Sequence, residues 1–290
     1  MMNSEFGMGK DPRVRKRFPP LPKKFLERVD KAWDALEDGD PETAGLEAEE
    51  MMSETEEHPE VRFLLGAALL ESGVPGEALE HLQSCEGQVE DPVVHRFYLA
   101  SALYENLRVE EAEKIFLEVI EEEPDAAPPF YGLAQCLEFT RRYAEAEEKY
   151  EKAHELDEEG FPLPTRMKRE AFERVVTEAA GHLPEDIREH LKQIPTVVED
   201  LPTREILLSE SDEEPVTPSV LGLFVGQSLK DRSVFNPVTT PPTIFIYQRN
   251  LERFCQTREE LIHEIRLTLY HELGHYLGLS EEELEERGLE

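Results

Sequence analysis

Small and large apolar residues recur at a fixed spacing through the first half of the chain, with charge between them. Residues 25–160 divide without a gap into four windows of 34, namely 25–58, 59–92, 93–126 and 127–160. The eighth place of the windows holds Ala32, Gly66, Ala100 and Ala134, and the twentieth holds Ala44, Ala78, Ala112 and Ala146. Ala48, Leu82, Phe116 and Tyr150 share the twenty-fourth place, and Met51, Cys85, Val119 and Ala153 the twenty-seventh. Small residues at two fixed points let two helices approach closely, while larger ones fill the space between neighbouring pairs. The pattern predicts an α-helical solenoid of about four repeats.

The period stops at Phe161-Pro162-Leu163-Pro164, so 161–167 reads as a linker to a second domain over 168–290. A helix is predicted over 169–180, with Phe172, Val175, Val176 and Ala179 on one face, and a short amphipathic segment then runs to Leu191. Pro195-Thr196-Val197-Val198, the run from Leu221 through Gly226, and Thr243-Ile244-Phe245-Ile246-Tyr247 read as short strands. Residues 207–219 are polar, acidic and Pro-containing, and read as an exposed loop. A last long helix starts at Thr257 and Glu260, which have capping-box spacing. Leu261, Ile262, Ile265, Leu269, Leu273 and Leu277 then keep the helical period. Gly278 suits the left-handed residue that closes it, and Ser280 with Glu283 offers a second capping box for a final helix over 281–287. The fold class is therefore a helical solenoid followed by a small α+β domain.

The chemistry lies in that last helix. His271 and His275 are four apart, so both imidazoles leave one face and can reach one Zn²⁺, and Glu272 is placed to deprotonate a water. A catalytic zinc takes three protein ligands and keeps an open position. Gly278 allows a turn that returns a third ligand, for which Glu281 is the candidate and Glu282 and Glu285 are rivals. With fifteen residues after His275, a third ligand on a distant downstream helix is not expected. Tyr247, Arg249 and Tyr276 are candidates for stabilising an oxyanion. The remaining histidines, His58, His81, His95, His154, His182, His190 and His263, read as surface or cap residues.

Charge narrows the choice of partner. The net charge is −34, with residues 1–24 at +5, residues 25–160 at −28 and residues 161–290 at −11. A domain so acidic repels phosphate backbones, which argues against nucleic acid and favours basic peptides or basic protein surfaces over it. A merely soluble acidic surface would have the same composition. No apolar run has the length of a membrane span, and the basic, Pro-rich N-terminus lacks the apolar core of a secretory signal. Residues 1–7 read as an appended sequence, with Met8 as the natural start. Cys85, Cys136 and Cys255 are odd in number and far apart, so buried thiols and a reducing cytoplasm are expected.

Tyr98-Leu99-Ala100, Glu111-Ala112 and Pro124, with the 34-residue period, make 25–160 resemble the tetratricopeptide repeat. That resemblance implies a concave surface holding a protein or peptide. Arg62, Arg96 and Phe130, at the fourth place of successive windows, would lie on the helices lining it, where repeat packing and solvated charge compete with binding. The second domain resembles the small bacterial family of minimal zincin-like metallopeptidases. The resemblance rests on Phe172 with Leu183-Pro184, Val197-Val198-Glu199-Asp200, Leu221 through Gly226, Ile244-Phe245-Ile246-Tyr247, Asn250-Leu251-Glu252-Arg253 and Glu286-Arg287-Gly288-Leu289. It implies a peptidase in which Zn²⁺ activates a water for Glu272 to deprotonate, with Asp usual where Glu281 stands here. By analogy with zincin folds, Thr243 to Tyr247 would be the edge strand that pairs with substrate. The competing function is a scaffold whose zincin-like domain binds metal or peptide with little catalysis.

Overall fold

A computed structural model of the chain describes residues 18–182, 185–192, 194–209, 216–226, 241–280 and 283–284. The chain divides into two compact units, Met1–Leu103 and Tyr104–Glu290.

In the first unit, α1 (Lys23–Glu37) is followed by α2 (Pro41–Glu54), α3 (Pro59–Glu71), α4 (Pro75–Cys85) and most of α5 (Pro92–Glu105). Proline opens α2, α3 and α4 at the place where a missing N–H costs nothing. Asp40 caps α2 by accepting from the Thr43 N–H, and His58 caps α3 from the Glu60 N–H. Gly39 and Gly73, both at φ 77°, supply the left-handed residue between paired helices. The periodic residues are the core: Ala32, Ala44, Ala48, Met51, Ala78, Leu82 and Cys85 are all buried. A methyl group on Gly66 would come within 2.8 Å of Leu82 Cγ, so the eighth place must be small where the twenty-fourth is large. His95 departs from the surface reading. It is 1% exposed, and its Nε2 lies 2.9 Å from the Leu82 carbonyl oxygen.

The second unit continues the pattern with α6 (Val109–Glu122), α7 (Ala127–Phe139) and α8 (Tyr143–Leu156), then changes character. It goes on with α9 (Arg169–Gly181), α10 (Glu185–Leu191), β1 (Thr196–Glu199), α11 (Arg204–Ser209), β2 (Gly222–Val225), β3 (Thr243–Tyr247), α12 (Gln248–Phe254) and α13 (Arg258–Leu277). The sheet has the order β1-β3-β2, with β1 parallel and β2 antiparallel to β3. Its core joins Phe172, Val175 and Val176 of α9, Ile244 and Ile246 of β3, and Leu261, Ile265, Leu269 and Leu273 of α13.

Two expectations are corrected by this arrangement. Thr243 to Tyr247 is the central strand, bonded on both sides, so it cannot be the edge that receives a peptide; among the described residues β2 is an edge. Residues 207–219 are not one exposed loop, because Leu207 belongs to α11 and is buried. The apolar pair Ile206-Leu207 outweighs the acidic composition of the residues after it.

The last repeat is joined to the C-terminal elements by a buried ionic cluster. Glu138 of α7, with no exposed side-chain surface, accepts from Arg166 at 2.7 Å, Arg249 at 2.8 Å and Arg253 at 3.1 Å. The Tyr150 hydroxyl donates to the same carboxylate at 3.0 Å. Arg166 also pairs with Glu252 at 3.1 Å, whose other oxygen accepts from the Met167 N–H and the Gln248 amide. Burial alone would push the Glu138 carboxyl up, but the guanidiniums of Arg253, Arg166 and Arg249 outweigh it and hold it below its ordinary value. These bonds all lie within the second unit.

Candidate metal centre

The helix that carries the candidate ligands is fixed at both ends. Thr257 Oγ1 accepts from the Glu260 N–H at 3.1 Å, and Glu260 Oε2 accepts from the Thr257 N–H at 3.2 Å. This capping box satisfies two end donors and sets the rotation of α13. At the other end Gly278, at φ 83°, closes the helix, and the Leu279 N–H donates back to the Gly274 carbonyl at 3.1 Å. The chain then packs against α13: Leu284 is buried, and a side chain on Gly274 would collide with it. The Ser280 and Glu283 capping box is present, with reciprocal bonds of 3.3 Å and 3.0 Å.

With the apolar stripe of α13 turned to the sheet, His271 and His275 remain half-buried on the next face. Their Nε2 atoms face each other at 2.8 Å, and their rings are steeply inclined at 75°. Two nitrogens each about 2.0–2.1 Å from one tetrahedral zinc stand on the order of 3.3 Å apart, so this convergence fits Zn²⁺ with a small rotamer adjustment. Among the described residues no third His, Cys, Asp or Glu completes the set. Glu281, Glu282 and Glu285 lie outside the described residues.

Glu272 is 6% exposed and lies beneath the edge strand. A methyl group on Gly222 would stand 2.5 Å from Thr268 Cγ2, 2.9 Å from Glu272 Cγ and 3.0 Å from Glu272 Oε1. Glycine is therefore what lets β2 cross α13 this closely. Between strand and helix lies a cleft of about 310 Å³, with Val220, Leu221 and Gly222 on one side and Thr268, His271 and Glu272 on the other. Glu264, one turn further up the helix, adds a second carboxylate to its wall. A hollow of about 450 Å³ between α9, α10 and β1 is larger but gathers no comparable set of reactive groups.

The oxyanion candidates do not line this cleft. Tyr247 is fully buried against Phe245, Tyr276 is buried in the core beside Phe224, and Arg249 is held by Glu138 and Glu147. The fourth-place residues of the repeats are also engaged. Arg62 pairs with Glu57 and bonds Ser84, Arg96 bonds the Pro92 carbonyl, and Phe130 is buried. Sequence reading missed Gly222, Glu264 and the Glu138 cluster. A glutamate between Leu137 and Phe139 in an otherwise apolar helix was the available signal for the last.

Comparison with known proteins agrees with both halves. The family model for zincin-like metallopeptidase matches residues 191–289, and that for tetratricopeptide repeat matches 97–160. A crystal structure of MamA is 19% identical, with 44% of this chain and 74% of that chain covered at a TM-score of 0.37. MamA from Desulfovibrio magneticus RS-1 is 20% identical, with 47% and 77% covered at 0.38. YrrB, described as a TPR protein with an unusual peptide-binding site, is 22% identical, with 47% and 83% covered at 0.35. The comparison with curated proteins returned no match. The chain thus carries a tetratricopeptide-repeat region followed by a zincin-like metallopeptidase domain.

Proposed function

We propose that this protein is a zinc-dependent peptidase whose repeat region, 25–160, recruits a protein substrate or regulator to the zincin-like domain, 168–290. The observation that carries the reading is the facing pair His271 and His275, with Glu272 beside it under an edge strand. His271, His275 and Glu281 would hold the metal. When bound, Zn²⁺ supplies Lewis acidity, lowering the pKa of a water towards about 7 and polarising a carbonyl.

The remaining work falls to the chain itself. An extended peptide adds to the free edge of β2 through main-chain bonds, which fixes its scissile carbonyl along the cleft. Glu272 accepts a proton from the attacking water and returns it to the leaving amine. Its burial under Gly222 keeps competing water away from the carboxylate and fixes its direction. A free, buried state of all three cysteines supports a reducing cytoplasm as the site of action. Among the described residues no helix is long and apolar enough to cross a membrane.

The test is metal analysis of the purified chain joined to digestion of a peptide library, with Glu272→Gln and Glu281→Ala alongside. The expected result is one zinc per chain, defined cleavage by the wild type, none by Glu272→Gln, and weakened zinc retention in Glu281→Ala. Zinc retention without any cleavage that Glu272→Gln removes would overturn the peptidase reading and leave a metal-binding scaffold.

A further inference from the structure

The entry to the edge strand is tied to the repeats by a directed chain of hydrogen bonds. Asn250 of α12 is 1% exposed, and its Nδ2 donates to two backbone carbonyls, Pro218 at 2.8 Å and Val220 at 2.6 Å. Its Oδ1 accepts from Arg253 Nη2 at 2.9 Å, and Arg253 Nη1 donates to Glu138 of α7 at 3.1 Å. A second tether runs beside it, because Ser219 Oγ donates to Glu105 at 2.7 Å. Leu221 follows at once, its carbonyl accepting from the Tyr247 N–H at 2.9 Å, and then Gly222 over Glu272.

The direction of this chain is dictated by donor chemistry. A guanidinium only donates, so Arg253 forces the Asn250 oxygen towards itself. The two amide hydrogens are then left for the two carbonyls, and the flipped amide would set like against like at all three contacts. Glu138 in turn holds Arg253, whose charge would otherwise be buried without a partner. Burying such a set is costly unless every member is satisfied, so its members act together.

We propose that Asn250 is a positioning residue for the substrate edge, and that Glu138 of the last repeat sets its orientation through Arg253. The repeats thereby fix where β2 lies over Glu272, in addition to any recruiting role. This rests on the proposed use of β2 by substrate, but the displacement of the strand can be measured without any substrate. The register of Gly222 over Glu272 is the quantity at stake, and misplacement of a reacting group by about 1 Å can cost on the order of 10²-fold in rate.

The test is hydrogen exchange of the full-length, zinc-loaded chain, comparing wild type with Asn250→Asp, Arg253→Lys and Glu138→Gln. Asn250→Asp keeps the shape but sets an oxygen against the two carbonyls. Arg253→Lys keeps the charge on Glu138 but loses the fork that also reaches Asn250. The expected result is exchange at least about tenfold faster over 216–226 in each variant, with α13 protected and one zinc retained. Combining Asn250→Asp with Arg253→Lys should add little to either alone, as members of one chain do. On a peptide found in the library digestion, kcat should fall by up to about 10²-fold at unchanged zinc content, and Arg253→Lys should lower it as Asn250→Asp does. Unchanged exchange over 216–226 in Arg253→Lys would overturn the proposal. So would acceleration spread equally through β1 and α13, which marks general loss of stability. If Glu138→Gln fails to fold, Arg253→Lys decides alone. If no peptide is cleaved, exchange still decides the positioning claim, and only the peptidase reading falls.

Discussion

The two compact units bury different chemistry. Among the described residues, the buried polar or charged side chains of the first unit are His58 and His95, and its core is apolar, with small residues recurring at a 34-residue period. The second unit buries Glu138, Gln248, Asn250, Glu252, Thr268 and Glu272. Polar groups are costly to bury unless bonded, and each of the first four bonds within one connected cluster, Gln248 through its Nε2 alone. Apolar periodic packing builds a surface out of interchangeable parts. Polar packing builds one arrangement only, and it is found where a strand must be held over a carboxylate.

The largest test of that contrast is Glu138→Ala. It leaves the buried Arg253 guanidinium without its counter-charge, while the part-exposed Arg166 and Arg249 keep Glu147 and Glu252, and it should cost the second unit about 3–5 kcal/mol, the range for breaking a buried pair. Segment-resolved hydrogen exchange should show the loss within 104–290, and a cost below about 1 kcal/mol would break the comparison. Leu82→Ala is the counterpart in the first unit. It deletes a fully buried side chain against Gly66 and should cost about 3 kcal/mol through transfer and cavity terms, measured by urea unfolding, with zinc content unchanged. Gly222→Ala should cost about 1–3 kcal/mol through overpacking and lower hydrolysis about 10²-fold, more than that loss of stability explains, since the added methyl must move Glu272 or the strand. Normal turnover in that variant would mean the strand and the carboxylate have slack.

The smallest effect is on pH. The Glu138 carboxyl lies below its ordinary 4.5 in the folded state, so its stabilisation is full above that value and is lost as pH falls through the lower folded one. Glu105 and Glu252, raised by burial, act in the opposite sense and favour the acidic side. The thermal midpoint of the wild type should therefore fall more steeply than that of Glu138→Gln on acidification below about pH 4.5. Parallel curves would assign the acid sensitivity to other carboxylates.

The same contrast explains what could be read from the chain. Ala44, Ala78, Ala112 and Ala146 announce themselves by period, and every one is fully buried. The capping box of α13, Gly278 and the pair His271 and His275 are likewise local, because their partners lie within five residues. Strand order is not local: β3 is central because it pairs with β1 and β2, both far from it in the chain. The helix α12, with the sequence QRNLERF, carries almost no apolar signal, since its polar residues face a polar core. Glu138 stands out locally as a glutamate in an apolar helix, but its partners do not, because Arg166, Arg249 and Arg253 arrive from up to 115 residues away.

The measurement that bears most directly on the central claim is the ratio of cleavage rates, wild type to Glu272→Gln, at equal zinc occupancy on the best peptide from the library. A proton-transferring carboxylate predicts a ratio of about 10²–10⁴, with zinc affinity and thermal midpoint unchanged. A ratio near one, with both proteins holding zinc, would contradict the assignment of Glu272 as the base of a peptidase.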